Sequence, residues 1–389
     1  MQYLYDKMAF DTSRPVESWW LDSVGENVQC SDLSCERNDY CDVAVIGAGF
    51  TGLSAAYHIA MDYEADVRVL DASYPGFGCS GRNGGFVGGE ATKLDIDDII
   101  KKFGLAETKR FYKVQREATE TVATILEAES IDADKTGSSL ICFAHKLNRV
   151  EKLQKTVEYV KKTLGENWTF MTRDECTSHG LAGPQVFAGI KIPDHFGLHP
   201  LKYVFGLARA AQKRGVTIYN EAPVRDWKKE GGYHTLVTSK GNLKAKKVIV
   251  GTNGYTSETM NMKLSGRLLP ALSNILVTRP LSRAEQLAQG WTTHDTTFDT
   301  RKLLHYVRLL PDGRFLFGGR GGLDASLEGK KKMRACMEKE FKQMFPAWRD
   351  VEFTHFWNGF VCLTYDRVAH IGRVDDDDTV WCALAYHGN

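Results

Sequence analysis

Gly47, Gly49 and Gly52 form a Gly-x-Gly-x-x-Gly turn between an apolar strand at 42–46 and a helical pattern that begins near Leu53. Each glycine has a separate use in holding a dinucleotide. Gly47 permits the tight turn, Gly49 lets the backbone approach a pyrophosphate, and Gly52 lets the helix pack closely on the strand. Phe50 and Thr51 lie within the turn, and the helix that follows has free N–H groups and a positive dipole end that would face the phosphates. A second apolar strand, Val67–Leu70, runs into Asp71. A carboxylate there is placed to meet a ribose hydroxyl. Strand, turn, helix, strand and acid together read as a dinucleotide-binding unit.

The elements that must position this unit sit in a chain of 389 residues, 43% hydrophobic. That is enough for two or three structural units with a large core. Lys and Arg number 50 against 49 Asp and Glu, a net charge of +1. This balance carries no electrostatic footprint for nucleic acid. No stretch approaches the ~20 apolar residues of a membrane span. Residues 1–14 lack the apolar core of a signal peptide, so a cytoplasmic protein is expected. The nine cysteines are scattered without a Cys-x-x-Cys pair, which points to free thiols and to no metal site. The aspartate run at 375–378 lies between short apolar segments and reads as a solvated hairpin turn.

Along the chain, residues 1–40 read as an irregular arm whose Trp19 and Trp20 pack on the main body. Amphipathic helices are expected at 106–128, with Phe111, Val114, Ala118, Val122 and Ile125 on the apolar face, and at 146–164. A helix at 201–213 starts after Pro200, which suits a first helical turn. Short strands follow at 216–219, 224–227, 233–238 and 243–250, several of them close enough for a meander. Val248, Ile249 and Val250 form the apolar run of a buried parallel strand, which ends in a second glycine turn from Gly251 to Gly254. Further strands are expected at 139–144, 186–192, 274–278, 303–309, 314–317, 352–357 and 380–385, with a helix at 331–344. Pieces of the nucleotide fold recur at the start, middle and end of the chain.

A glycine turn alone does not separate NAD from FAD. Here the second strand is followed by the glycine-rich loop Ser80-Gly81-Arg82-Asn83-Gly84-Gly85 rather than by further βαβ units. Such a loop offers backbone N–H groups around a flat ring. The middle meander, the Gly251 turn and the return of the fold near the C-terminus also favour FAD.

With these pieces in view the sequence resembles the FAD-dependent amino-acid and amine oxidases of the D-amino-acid-oxidase superfamily, with γ-glutamylputrescine oxidoreductases as the nearest group. The resemblance is carried by the glycine turn, the Ser80–Gly85 loop and the stretch Gly197-Leu198-His199-Pro200. It continues with Val250–Tyr255, Arg314–Arg320, Trp357-Asn358-Gly359-Phe360 and Asp366–Gly372. It implies an α/β fold: a discontinuous Rossmann-type FAD domain from 41–92, 195–262 and 350–389, with an inserted α+β substrate domain from 93–194 and 263–349 built on a mostly antiparallel sheet. By the same comparison Gly47, Gly49 and Gly52 take the pyrophosphate, Asp71 the ribose, and Val224 the adenine. Ser80, Gly81, Arg82, Asn83 and Gly84 line the isoalloxazine, and Gly359, Ile371 and Gly372 pass close to it from the other side, with Gly251 in the second turn. Asp71 stands where glutamate is commoner, Ala369 where proline is, and Cys79 where a small apolar residue is.

The implied reaction is oxidation of a C–N bond in a small amine or amino acid by hydride transfer to flavin N5, with oxygen as electron acceptor and hydrogen peroxide as product. A desolvating, partly aromatic site would supply the neutral amine without a dedicated base. Tyr306 and Arg308 share one face of a strand expected to cover the flavin. Tyr306 would form an aromatic wall, and Arg308 would pair a substrate carboxylate in bidentate fashion. Arg82 is the third candidate catalytic residue. His305 faces the other way, His199 reads as a capping or packing residue, and Trp357 lies near the ring or in the core. Two other readings are a dehydrogenase that reduces a quinone or carrier, and an inactive or truncated flavin-fold protein. The last is raised by a sequence that stops at Asn389, where the resemblance implies a further helix.

Overall fold

Val45 and Ala44 are both fully buried although they point to opposite faces, because the strand Tyr40–Ile46 lies inside a sheet covered on both sides. The computed structural model describes residues 6–36, 39–89, 92–322 and 324–388. In the sheet, Asp377–Leu384, Asn242–Val250, Tyr40–Ile46, Val67–Leu70 and Thr217–Tyr219 run parallel in that order. His370–Val374 closes one edge as a hairpin with Asp377–Leu384. Asp226–Glu230 and Tyr233–Val237 form the expected antiparallel meander with Asn242–Val250.

The continuous apolar runs explain the layering. Val45, Val67, Val69 and Ile218 pack on Leu53 and Ala56 of the helix Phe50–Asp62 and on Val204, Leu207 and Ala208 of the helix Pro200–Lys213. Ala44, Ile46, Val248 and Val250 face the opposite way, toward Leu236, Leu243 and Ala222.

A second sheet has the order Phe353–Leu363, Leu269–Thr278, Phe315–Arg320, His305–Leu309, Thr296–Asp299, Ser139–Phe143, Ala188–Pro193, Thr169–Thr172. All its pairings are antiparallel except Thr296–Asp299 with Ser139–Phe143. This is the mostly antiparallel sheet expected of the fold. One face is sealed by an aromatic cluster in which Phe341, on the helix Leu327–Met344, meets Phe315, Phe317, Phe345, Trp348 and Phe353. The other face is turned toward the glycine-rich loop.

Several elements differ from the expectation. Thr169–Thr172, Thr296–Asp299 and His370–Val374 are strands that the apolar pattern did not mark, being short and half polar. Ile96–Phe103 and Arg283–Gln289 are additional helices. Ser282 and Glu285 make a reciprocal capping box on the second, a signal the sequence does carry. The helix Leu105–Ala128 buries Tyr112, Thr119, Ile125 and Leu126, while Val114 and Ala118 are exposed.

The arm is not wholly irregular. Ser18 caps a short helix, Trp19–Ser23. Trp20 is buried and its indole N–H donates to the Asn83 carbonyl at 2.8 Å. Trp19 lies beneath the Arg314 guanidinium. Residues 1–5, 37 and 38 of the arm lie outside the described residues.

Two consequences are testable. Phe341→Ala should cost about 3–5 kcal/mol in denaturant unfolding, the loss for emptying a packed aromatic site. His199, buried under Trp20, has its pKa pushed down to about 3 by burial and by Lys202. Its neutral form therefore stabilises the fold above the unfolded value of ~6.5, and that stability drains as pH falls toward the folded value. Lowering pH from 7 to 5 should remove about 2 kcal/mol through this group. His199→Asn, which keeps an N-cap acceptor, should flatten that part of the profile.

Candidate active site

The site begins at the first turn. Gly47 has φ +102°, a conformation that side chains disfavour. A Cβ on Gly52 would lie 1.9 Å from the Gly47 carbonyl, so the helix Phe50–Asp62 can start here only from glycine. Gly49 is its N-cap and contributes no side chain. The Ser80 hydroxyl reaches in and accepts from the Phe50 N–H at 2.9 Å. Turn and loop thus meet at the helix N-terminus, where the dipole favours a phosphate. Thr51, one residue on, donates its hydroxyl to the Tyr386 oxygen at 3.2 Å. Gly251 closes the far side, its N–H donating to the Ile46 carbonyl at 2.9 Å.

Asp71 ends the second strand. Its carboxylate accepts from the Ala48 N–H at 2.7 Å and the Ser73 N–H at 2.9 Å. Burial raises its pKa, and those two donors oppose the rise. Its backbone carbonyl accepts from the Ala222 N–H at 2.7 Å, which brings the buried Val224 segment to the same end of the sheet. The positive end of the helix, the bare glycine backbone and the anchored carboxylate fit the pyrophosphate and ribose of FAD.

The loop that follows is held from every side. Asn83 donates to the carbonyls of Cys79 and Ser80 and accepts from the Gly85 N–H at 2.7 Å. Gly81 fits because a Cβ would stand 2.2 Å from the Gly76 carbonyl, and Gly84 because one would stand 2.9 Å from the Tyr306 ring. Trp357 donates to the Arg82 carbonyl at 2.8 Å. Cys79 donates to the Phe360 carbonyl, and burial pushes its thiol up to about 11, which leaves it unreactive.

The three residues expected to carry catalysis have distinct surroundings. Arg308 is 1% exposed. Its Nη1 donates to the carbonyls of Gly84, Gly85 and Leu198 at 2.8, 2.9 and 2.8 Å, and Nη2 donates to the Thr136 hydroxyl. The structure therefore gives it loop carbonyls in place of the substrate carboxylate expected from its face of the strand. Arg82 donates to the Phe77 carbonyl at 2.7 Å and stacks on the Phe77 ring, again as a loop fastener. Tyr306 does lie against the loop, its ring on Gly84 and Gly318 and its hydroxyl 3.0 Å from that of Ser273.

Gly359 also lies against the loop, where a Cβ would be 3.2 Å from Arg82 Cβ. Ile371 and Gly372 do not. They sit on the edge hairpin, Ile371 74% exposed and Gly372 with open space where a Cβ would be. His305 lies on the opposite face, stacked on Phe317. His199 caps the helix Pro200–Lys213. One residue the sequence reading passed over stands out. Arg320 ends its strand opposite Ser273, on the face that carries Tyr306. Conversely, the Arg308 partners come from loops more than 100 residues away in sequence, which no local pattern announces.

Arg308→Met should strip a donor from three buried carbonyls and cost about 3 kcal/mol or more of stability, with flavin content falling in step. Arg308→Lys, lacking the fork, should recover little of either. Normal stability and flavin content with only a raised KM would instead mark Arg308 as a substrate ligand.

Comparison with known proteins agrees with this geometry. Residues 42–389 match the family described as FAD dependent oxidoreductase. A protein named probable oxidoreductase OrdL from Haemophilus influenzae is 31% identical over 382 residues, covering 96% of this chain and 84% of that protein. The γ-glutamylputrescine oxidoreductase of Escherichia coli is 30% identical over 358 residues, covering 90% and 80%. The crystal structure of glycine oxidase from Geobacillus kaustophilus shares the fold, with a TM-score of 0.72 at 19% identity over 90% of each chain. Because the family match runs across both sheets and the loop between them, the chain belongs to the FAD-dependent oxidoreductases of that family.

Proposed function

We propose that this enzyme oxidises the C–N bond of a small amine or amino acid, of the γ-glutamylputrescine kind, with oxygen as electron acceptor and hydrogen peroxide as product. The observation that carries the reading is the flavin-side face of the second sheet. Tyr306, Gly359 and Trp357 lie directly on the Ser80–Gly85 loop, so a substrate held there would face an aromatic wall. When bound, FAD supplies the hydride acceptor at N5 and the route for electrons to oxygen.

The chain's own residues supply the rest. In this reading Gly47, Gly49, Phe50, Thr51 and Gly52 bring bare backbone and the first turn of the helix to the pyrophosphate, with Gly251 behind them. Asp71 holds the ribose, and Val224 offers its backbone to the adenine. Ser80, Gly81, Arg82, Asn83 and Gly84 line the isoalloxazine. Tyr306 and its neighbours exclude water, which favours the neutral amine over the ammonium. The imine formed on the substrate hydrolyses to a carbonyl product and a free amine. In this reading 41–92, 195–262 and 350–389 hold the cofactor, and 93–194 with 263–349 hold the substrate.

Purified protein should be yellow with flavin absorbance. It should release peroxide with at least one of γ-glutamyl amines, sarcosine, glycine or D-amino acids. Dye reduction without peroxide would assign a different acceptor, and a yellow protein reduced by none of these amines would overturn the substrate class.

A further inference from the structure

We infer that a cleft at one end of the second sheet binds a small organic phosphate, its phosphoryl group on Lys146, Arg149 and Arg301 and its body against Phe187. The site lies apart from the Ser80–Gly85 loop and does not depend on the reaction proposed above.

The fold itself opens the cleft. Ser139–Phe143 and Thr296–Asp299 pair in parallel, the exception in an otherwise antiparallel sheet. Parallel neighbours leave a sheet in the same direction, and the crevice outside their carboxyl ends is where ligands settle in open α/β sheets. Beyond the first strand the chain runs His145-Lys146-Leu147, and beyond the second it runs Thr300-Arg301. Pro184, Gln185 and Phe187 approach the same end on their way into Ala188–Pro193, which pairs antiparallel with Ser139–Phe143. Together these segments border a cleft of about 570 Å³, within the range of roughly 300–1,000 Å³ for small-molecule sites.

One side of the cleft is cationic. Arg301 is fixed by the Asp299 carboxylate and the Gln185 side-chain oxygen, so its charge is answered. Lys146 and Arg149 are exposed and make no ion pair among the described residues. The next acid along the chain, Glu151, is taken by Lys155. His145 is half-buried. Its backbone N–H donates to the Thr300 hydroxyl at 3.3 Å, and that hydroxyl lies 2.8 Å from Nδ1. The hydroxyl therefore gives its own proton to Nδ1, which leaves the imidazole proton on Nε2 as a donor. Burial, together with the charges of Arg301, Lys146 and Arg149, holds this histidine down at about 4, so it donates as a neutral ring at pH 7. Two unanswered cations match a phosphate monoester, which carries about −2. The other side is apolar. Leu147 is 70% exposed, and the Phe187 ring lies beneath the Arg173 guanidinium, so an organic body seated there would cover surface now left to water.

The test titrates the purified flavoprotein calorimetrically with phenyl phosphate, inorganic phosphate and phenol. Phenyl phosphate should bind, inorganic phosphate more weakly, and phenol not at all. Lys146→Glu and Arg149→Glu, both at exposed positions, should each weaken phenyl phosphate by about 10-fold or more, with Tm and flavin content unchanged. No binding by the wild type, or equal binding by wild type and both variants, would overturn the proposal. So would binding that disappears when excess FAD is added, since the probe would then occupy the glycine turn at 47–52. Inorganic phosphate binding as tightly as phenyl phosphate would overturn the organic body and leave a site for free phosphate.

Discussion

A buried guanidinium ties the second sheet to the loop that leaves the nucleotide sheet. Arg308 belongs to the second sheet, yet its partners Gly84 and Gly85 belong to the loop leaving the nucleotide sheet, and Leu198 precedes the helix that covers that sheet. A charge in this position is tolerated because its Nη1 and Nη2 donors meet three buried carbonyls and a hydroxyl. Only arginine offers several donors in one rigid plane. With Arg308 in place the loop is held against Tyr306, and the face that would meet a substrate is set relative to the glycine turn. The tryptophans extend the same arrangement: Trp20 from the arm and Trp357 from the sheet each fix one more carbonyl of the loop.

Most of the nucleotide half was legible in the sequence because its signals are local. The Gly47–Gly52 turn, the Val248–Val250 run and Pro200 at a helix start each report a backbone requirement met within a few residues. The loop at 80–85 was equally visible, since glycines where a Cβ would come within 3 Å of other atoms leave a mark in composition. Strand alternation also placed Tyr306 and Arg308 on one face.

What alternation does not report is which polar groups a side chain finds across the fold. Arg308 and Arg320 both lie on one face of neighbouring strands, yet only Arg308 reaches carbonyls of distant loops. That difference arises from segments more than 100 residues apart meeting. Ile371 and Gly372 show the complementary failure. A family motif raised the expectation of proximity to the flavin, while the structure places both on an edge hairpin, away from the Ser80–Gly85 loop. Thr296–Asp299 was unread because its two threonines and one aspartate are buried by pairing on both sides rather than by being apolar.

The order of strands in the nucleotide sheet has a consequence for how the chain is made. Asn242–Val250 finds Tyr40–Ile46 and Tyr233–Val237 early in synthesis, but Asp377–Leu384, which pairs with Val248–Val250, lies more than 100 residues later. At ribosomal speeds the nascent chain carries an unpaired Val-Ile-Val edge for on the order of ten seconds. Such an edge is a template for pairing with another chain. The strand that covers this edge is made late, so the edge stays open until Asp377–Leu384 has been synthesised.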